Sequence, residues 1–429
     1  MNSDTKMNTD TKMNSENVFT FSDVKVIEQE QEQKQEQEQK FKTGMATDIG
    51  GGRENQDTSC CIQTADIIAN GVFDGHGYDG KWIAEFCKTT TESWILENNE
   101  RLLLDPVKSL TDLFLDLKKW LTAKIIENCH HECKLDPSNT ILMKSTYADT
   151  WQPLINGGAT MTITILIKKT LKLYIANVGD TDAMLCSTKP ILRQDDLKCE
   201  NELKEATEDL IEATEDLIEA TDYLMLTADH SPDNPKEFMR MCKIATHPSI
   251  PNKSTVNVIY DNQKVTNKKL CCPVFDTSKE IPTLLDCPVG NGYYKNVRKE
   301  YATYVATPED RILAMTRTMG DFHMCAYGIV CEPTINSIDL SKILDRYEET
   351  DTQPTLCLLI SSDGVWDNWL FKDVQNFMMY DTCLETVVSK PDGAQKVLDS
   401  FINRNTIFGR AHFGSSADNA TSSVVYINK

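Results

Sequence analysis

The chain has 429 residues, 40% apolar and 25% charged, a globular composition with room for one large domain or two ordinary ones. Its formal net charge of -21 argues against non-specific nucleic-acid binding and against docking on anionic membranes, since both want basic patches. Its 15 cysteines are odd in number and show no CxxC spacing, so a zinc finger or a thioredoxin motif is not expected.

The thiols read as reduced. Residues 1–20 hold no apolar leader, and no apolar run reaches the ~18 residues of a membrane helix. An intracellular, cytoplasmic protein is therefore expected.

Residues 1–43 read as a disordered tail. A short repeat (NSDTKM, NTDTKM, NSEN) runs into EQEQEQKQEQEQK, which has nothing to bury. Folded sequence begins near Phe41 and continues to 429. Residues 58–74 read as short strands leading to Asp74. Two helices are predicted next. Over 80–97, Ile83, Phe86, Cys87 and Trp94 share a face. Over 107–127, Val107, Leu110, Phe114, Leu117, Leu121 and Ile125 recur at steps of three and four. A hairpin follows: Met161, Ile163, Ile165 and Ile167 alternate with Thr160, Thr162 and Thr164, Lys168–Thr170 turns the chain, and Leu171–Val178 returns. Apolar runs at 355–361 and 423–427 read as buried strands. Strands, then helices, then strands predict an α+β fold in which helices cover β-sheets.

Two stretches read as insertions. Residues 190–222 are acidic and repeat EATEDLI at 205–211 and 212–218, which gives a coiled-coil-like seam or an exposed acidic helix. Residues 245–305 are weakly patterned and read as a long loop or small subdomain.

Aspartates beside glycine or asparagine recur where apolar runs end or begin. They are Asp74-Gly75 in NGVFDGHG, Gly179-Asp180 in YIANVGD, Asp363-Gly364 in LLISSDGVWD and Asp418-Asn419 in SSADNATS, with Asp321 in TMGDF as a fifth. Singly, each is a turn signal. Together they sit at strand ends that converge when sheets pack. Converging carboxylates repel one another, and they either take up protons or bind cations. Oxygen donors without cysteine or clustered histidine select hard ions, Mg²⁺ or Mn²⁺. Phosphate-ester hydrolysis is the usual task of such a site. His76, two residues after Asp74, is placed to act as a general acid. On this reading the five aspartates have equal standing.

These residues resemble the metal-dependent protein phosphatases of type 2C, over about 44–428 with the two insertions as interruptions. Gly71–Gly77 resembles the family's DGH motif. Gly157–Thr160 resembles the turn opening its central hairpin, and Asn177–Asp180 its Gly-Asp motif. Leu226–Pro232 is similar to its Thr-x-Asp-His segment, Leu313–Phe322 to its Ser-Arg-x-x-Gly-Asp-Phe stretch, and Asp363–Asp367 and Asp418-Asn419 to its last two signatures. The resemblance implies two packed antiparallel β-sheets flanked by helices, and hydrolysis of phosphoserine and phosphothreonine in proteins by a water activated between two ions. It implies that Asp74 bridges both ions, that the Gly75 carbonyl joins the second, and that Asp363 and Asp418 complete the first. Asp180, with Asp363, would hold a weaker third. Asp321, Asp229 and His230 would be supporting residues, and the 245–305 insertion would be flap-like. His76 would be the acid and Arg53 the phosphate-binding cation.

The sequence departs from the family in three places. Arg53 and Asp57 are separated by three residues where four are usual, Gln56 stands where a glutamate is common, and Asp182 stands where a basic residue is common. The expected enzyme is a monomer acting on a phosphorylated protein. The alternative is an impaired pseudophosphatase used as a binding module. A nuclease is disfavoured by the negative charge.

Overall fold

β-branched and apolar runs supply the strands. In chain order these are β1 (Phe41–Asp48), β2 (Thr58–Gln63) and β3 (Ile67–Gly77), followed by helices α1 (Gly80–Glu97) and α2 (Pro106–Asn128). The hairpin is β4 (Gly157–Ile167) and β5 (Lys172–Val178). Then come β6 (Asp182–Ile191), β7 (Thr221–Met225), helix α3 (Pro235–Ala245), β8 (Thr334–Asp339) and β9 (Leu356–Ser361). Helices α4 (Phe371–Met378), α5 (Asp381–Ser389) and α6 (Gly393–Phe413) lead to the last strand, β10 (Ala420–Ile427).

The computed structural model describes residues 40–191, 198–199, 221–248, 254–278, 281–345, 347 and 355–428. Most of the acidic heptad segment and of the Glu/Gln tail therefore lies outside the described residues. Lys42–Lys429 form one unit; of Met1–Phe41 only residues 40 and 41 are described. β1 begins at Phe41, so residues 41–43 belong to a strand and not to the tail. Among the described residues no helix is long and apolar enough to cross a membrane.

Two large sheets form. The first has five strands in the order β1-β10-β9-β6-β7. The second runs β8-β5-β4-β3-β2, with residues 198–199 beside β8 and Met319–Gly320 beside β4. The ladders joining β2 through β8, and those joining β6, β9 and β10, are antiparallel.

Helices α1 and α2 cover the outer face of the second sheet. Ile83, Cys87 and Trp94 join Leu110, Phe114, Leu117 and Leu121 in one core with Phe73, Met161, Ile163 and Val178. Each such side chain, fully buried, contributes roughly 1.5–3 kcal/mol of apolar transfer. The start of α2 is fixed by Pro106 in its first turn and by Asp105, whose carboxylate accepts from the Lys108 amide at 3.1 Å. On the far side α5 and α6 place Leu384, Val387, Leu398 and Phe401 against Cys357, Leu359, Val424 and Tyr426 of the first sheet. The fold is the α+β arrangement of two antiparallel sheets flanked by helices.

The threonine face of β4 is buried too. It looks onto the first sheet, not onto water. Thr160 Oγ1 lies 2.6 Å from Thr181 Oγ1, and the Thr162 hydroxyl donates to the Thr181 carbonyl. Thr181 lies where the chain steps from β5 in the second sheet to β6 in the first, so these bonds tie the crossover to the seam.

The 245–305 stretch is a small subdomain. Asn257–Tyr260 pairs with Thr303–Ala306, which pairs with Ile312–Leu313. Phe238 and Met241 of α3 share a core with Val258, Val274, Phe275 and Val305, and the Phe238 and Phe275 rings stack at 4.1 Å.

Candidate functional site

Strand register brings the aspartates to one end of the seam. Asp74 in β3 lies opposite Thr160 in β4. Met161 of β4 lies opposite Val178, so Gly179 and Asp180 follow at the same end. In the first sheet Ser361 faces Ser422. Asp363, just past β9, and Asp418, just before β10, therefore meet at one edge. The two ends open on a cavity of about 460 Å³ whose walls include Asp74, Gly75, His76, Asp180, Asp363 and Asp418.

The glycines beside two of these aspartates serve close approach more than turning. A methyl group at Gly75 would lie 2.4 Å from the Gly80 carbonyl oxygen, and one at Gly364 would lie 1.9 Å from that of Asn419. A side chain at either position would push apart the segments that carry the carboxylates.

The carboxylates keep a face on the cavity but are walled by protein. Burial, then the charges of Asp57, Asp363, Asp418 and Asp180, push the Asp74 carboxyl well above the usual range. Asp363 is raised in the same way, by burial and then by Asp418, Asp180, Asp367 and Asp57. Burial also raises Asp180 and Asp418. Asp180 Oδ1 is buried and has no protein hydrogen-bond partner.

The crowded, mutually repelling carboxylates of Asp74, Asp363 and Asp418 fit a hard divalent cation. Among the described residues no three His, Cys, Asp or Glu side chains already stand as a ready ligand set.

His76 is oriented by a partner far away in sequence. It lies opposite Gly158 in β4, and Gly158 lies opposite Gly320 on its other side. Asp321 follows Gly320 in a left-handed conformation, φ 43°. Its Oδ2 sits 2.6 Å from His76 Nε2 and also accepts from Thr318 Oγ1 at 3.1 Å. Burial pushes His76 down, but the Asp321 charge and hydrogen bond outweigh it, so its pKa is raised. Asp321 is lowered in turn: burial pushes it up, but the His76 charge and hydrogen bond, the His323 charge and the Thr318 hydrogen bond together outweigh that. The pair is a close imidazole–carboxylate contact, an ion pair whenever the imidazole carries its second proton.

Arg53 is not brought in. It is exposed and does not line the cavity. Asp57 is fastened inward, its Oδ2 accepting from Ser362 Oγ at 2.7 Å, and the Gln56 amide is fastened to Asn419 Oδ1 at 2.7 Å. Gln56 does line the cavity, and its Nε2 donates to the Gly77 carbonyl at 2.9 Å. A glutamate could not make that bond.

Several site residues were not singled out by sequence. Asp57, raised to about 6 by burial, shares a hydrogen bond with Asp74; in the sequence it served only to mark a spacing. Asp182 accepts from Thr227 Oγ1 at 2.6 Å and is held well above its usual range by burial and by Asp229, with which it shares a hydrogen bond. Asp367 is pushed up to about 7 by burial. The cations that line the cavity are Lys295 and Arg298, both from the subdomain. Lys295 Nζ stands 3.4 Å from Asp229 Oδ2.

Residues 32–204 match the family profile described as Protein phosphatase 2C. The chain is 31% identical over 149 residues to Protein phosphatase 1K, mitochondrial, of Xenopus laevis, which covers 34% of this chain and 32% of that protein. It is 33% identical over 138 residues to Probable protein phosphatase 2C 35 of Arabidopsis thaliana, 31% of each chain. The matches thus span about a third of the length of these curated relatives. The solved serine-threonine phosphatase 2C from Toxoplasma gondii is similar in fold, with a TM-score of 0.50 at 15% identity, covering 91% of this chain and 95% of that one.

Proposed function

We propose, from the premise that the chain is the type 2C protein phosphatase its family match and named relatives support, that it hydrolyses phosphoserine and phosphothreonine in proteins with two Mg²⁺ or Mn²⁺ ions. The observation that carries this reading is the meeting of Asp74, Asp363 and Asp418 with His76 in one cavity at the seam of two sheets.

In this reading Asp74 and the carbonyl of Gly75, with Asp363 and Asp418, would hold the two ions. When bound, the ions supply an activated water and neutralise charge on the phosphoryl oxygens. The chain's own part is positional. Asp57 shares a hydrogen bond with Asp74 and is itself held by the Ser362 hydroxyl, which donates to Asp57 Oδ2 at 2.7 Å. His76 holds a proton for the departing serine or threonine oxygen. Asp321 takes Nε2 and leaves Nδ1 as the nitrogen that hands the proton over. No cysteine is among the residues lining the cavity, and burial pushes the Cys186 and Cys357 thiols upward, so a thiolate nucleophile has no support. A phosphorylated protein as partner, action as a monomer and a cytoplasmic location go with the proposal.

The impaired-module alternative rests on Arg53 and Gln56. The cavity keeps the carboxylates and the acid, which favours turnover. The test is hydrolysis of p-nitrophenyl phosphate and of a phosphothreonine peptide by the chelator-stripped full chain. Activity should return with Mn²⁺ and vanish in Asp74→Asn. Activity indifferent to EDTA, or none at any Mn²⁺ concentration, sinks the reading.

A further inference from the structure

The resemblance assigns Asp180, with Asp363, a third and weaker ion. In this chain that corner already holds a cation. Lys295 reaches into the cavity between two acidic segments, with its ammonium on Asp229 at 3.4 Å and both side chains 28% exposed. Asp229, Asp367, Asp180 and Glu300 all favour its charged form, against the cost of burial. The same ammonium counters the rise of the Asp180 and Asp367 carboxyls.

The lysine is held in place by a loop fastened to the segment that begins at Asp363. The Lys295 amide donates to the Glu300 carbonyl at 2.7 Å, which closes the loop, and the Val297 amide donates to the Asp367 carbonyl at 3.1 Å. Arg298 donates to the carbonyls of Trp366 and Trp369, and its guanidinium lies 4.5 Å from the Phe371 ring centroid. Asn296 Nδ2 donates to Glu300 Oε2 at 2.6 Å. The ammonium is thus positioned by backbone bonds on both sides.

An ammonium and a divalent ion compete for the same carboxylates and repel one another at such range. We propose that Lys295 is a built-in counter-ion for the Asp180, Asp229 and Asp367 corner, standing where a third divalent ion would, so that the chain takes up two ions. The inference rests on the two-ion reading above.

Its test counts ions, independently of turnover. The chelator-stripped full chain is dialysed to equilibrium against millimolar Mn²⁺, and bound metal is measured for the wild type, Lys295→Met, Lys295→Arg and Asp180→Asn. The wild type should bind two. Lys295→Met should bind three, while Lys295→Arg, which keeps the charge, should stay at two. Asp180→Asn should also stay at two. Three ions on the wild type overturn the inference and leave the phosphatase reading standing. Fewer than two overturn both. A Lys295→Met protein with native circular dichroism that still binds two, or loss of an ion in Asp180→Asn, overturns the inference as well.

Discussion

Replacing Asp321 by asparagine separates charge from shape at the residue that orients the proposed acid. Asp321 is 3% exposed, and its Oδ2 lies 2.6 Å from His76 Nε2. A hydrogen bond to a charged group contributes roughly 1.5–3 kcal/mol, about a ten- to hundredfold factor in an equilibrium, and losing the Asp321 charge should lower His76. Burial alone already pushes it down. The native pair keeps the imidazolium to a higher pH than a free histidine does. In Asp321→Asn the alkaline limb of kcat should therefore move to lower pH. Above both limbs the protonated fraction is about ten- to a hundredfold lower than in the wild type, and turnover of a phosphopeptide falls with it. The assay is kcat against pH at saturating Mn²⁺, on a phosphothreonine peptide and on p-nitrophenyl phosphate. p-Nitrophenolate leaves without a proton, so that substrate should be much less affected. An equal loss on both substrates with the limb unmoved would refute the role given to His76.

Three further outcomes follow from the geometry. Arg53→Ala should change kcat/KM by no more than about threefold, as surface substitutions away from special features do; a loss beyond tenfold on the phosphopeptide would put Arg53 back in the cavity. Leu117→Ala, at a site with no solvent exposure in the α2 core, should cost about 2–5 kcal/mol in urea unfolding; a cost under about 1 kcal/mol would mean that α2 is not packed as described. His230 is pushed down to about 3 by burial, with Nδ1 accepting from the Gly179 amide at 3.0 Å. The unfolded chain takes up that proton near pH 6.5 and the fold resists it, so stability is present above pH 6.5 and is lost as pH falls towards 3. Urea midpoints at pH 7 and 4.5 should therefore fall more in the wild type than in His230→Gln; equal falls would show that His230 is not the group involved.

Much of this was legible in the chain because it is written locally. The steps of three and four in Ile83, Cys87 and Trp94 mark a buried helix face, and the runs before Asp74 and Asp363 mark strands that end at the seam. What sequence could not carry was pairing across distance. Asp321 meets His76 only because Met319–Gly320 takes the place beside β4 that β5 vacates after Val178. Nothing local to TMGDF says so. The alternation of Thr160, Thr162 and Thr164 reads the same whether the polar face meets water or a second sheet, and only the Thr181 crossover decides it. Lys295 was hidden in a stretch without periodicity, and Asp57 looked like a spacer because its partners Asp74 and Ser362 are remote in sequence. Arg53 shows the converse: a motif can match in residue type while the side chain stands exposed, outside the cavity lining.

The seam between the sheets has a mechanical consequence. Asp74 belongs to the second sheet, while Asp363 and Asp418 flank strands of the first. Like charges thus face each other across the join that holds the two halves together. On the proposed two-ion reading a cation shared among them would act as a rivet, and its withdrawal would turn the same groups into a wedge. Occupancy at a hundred times Kd would add about 2.7 kcal/mol to the folded state. The melting temperature would then serve as a gauge of ion loading, and a chelator would loosen the architecture at the same time as it stops the chemistry.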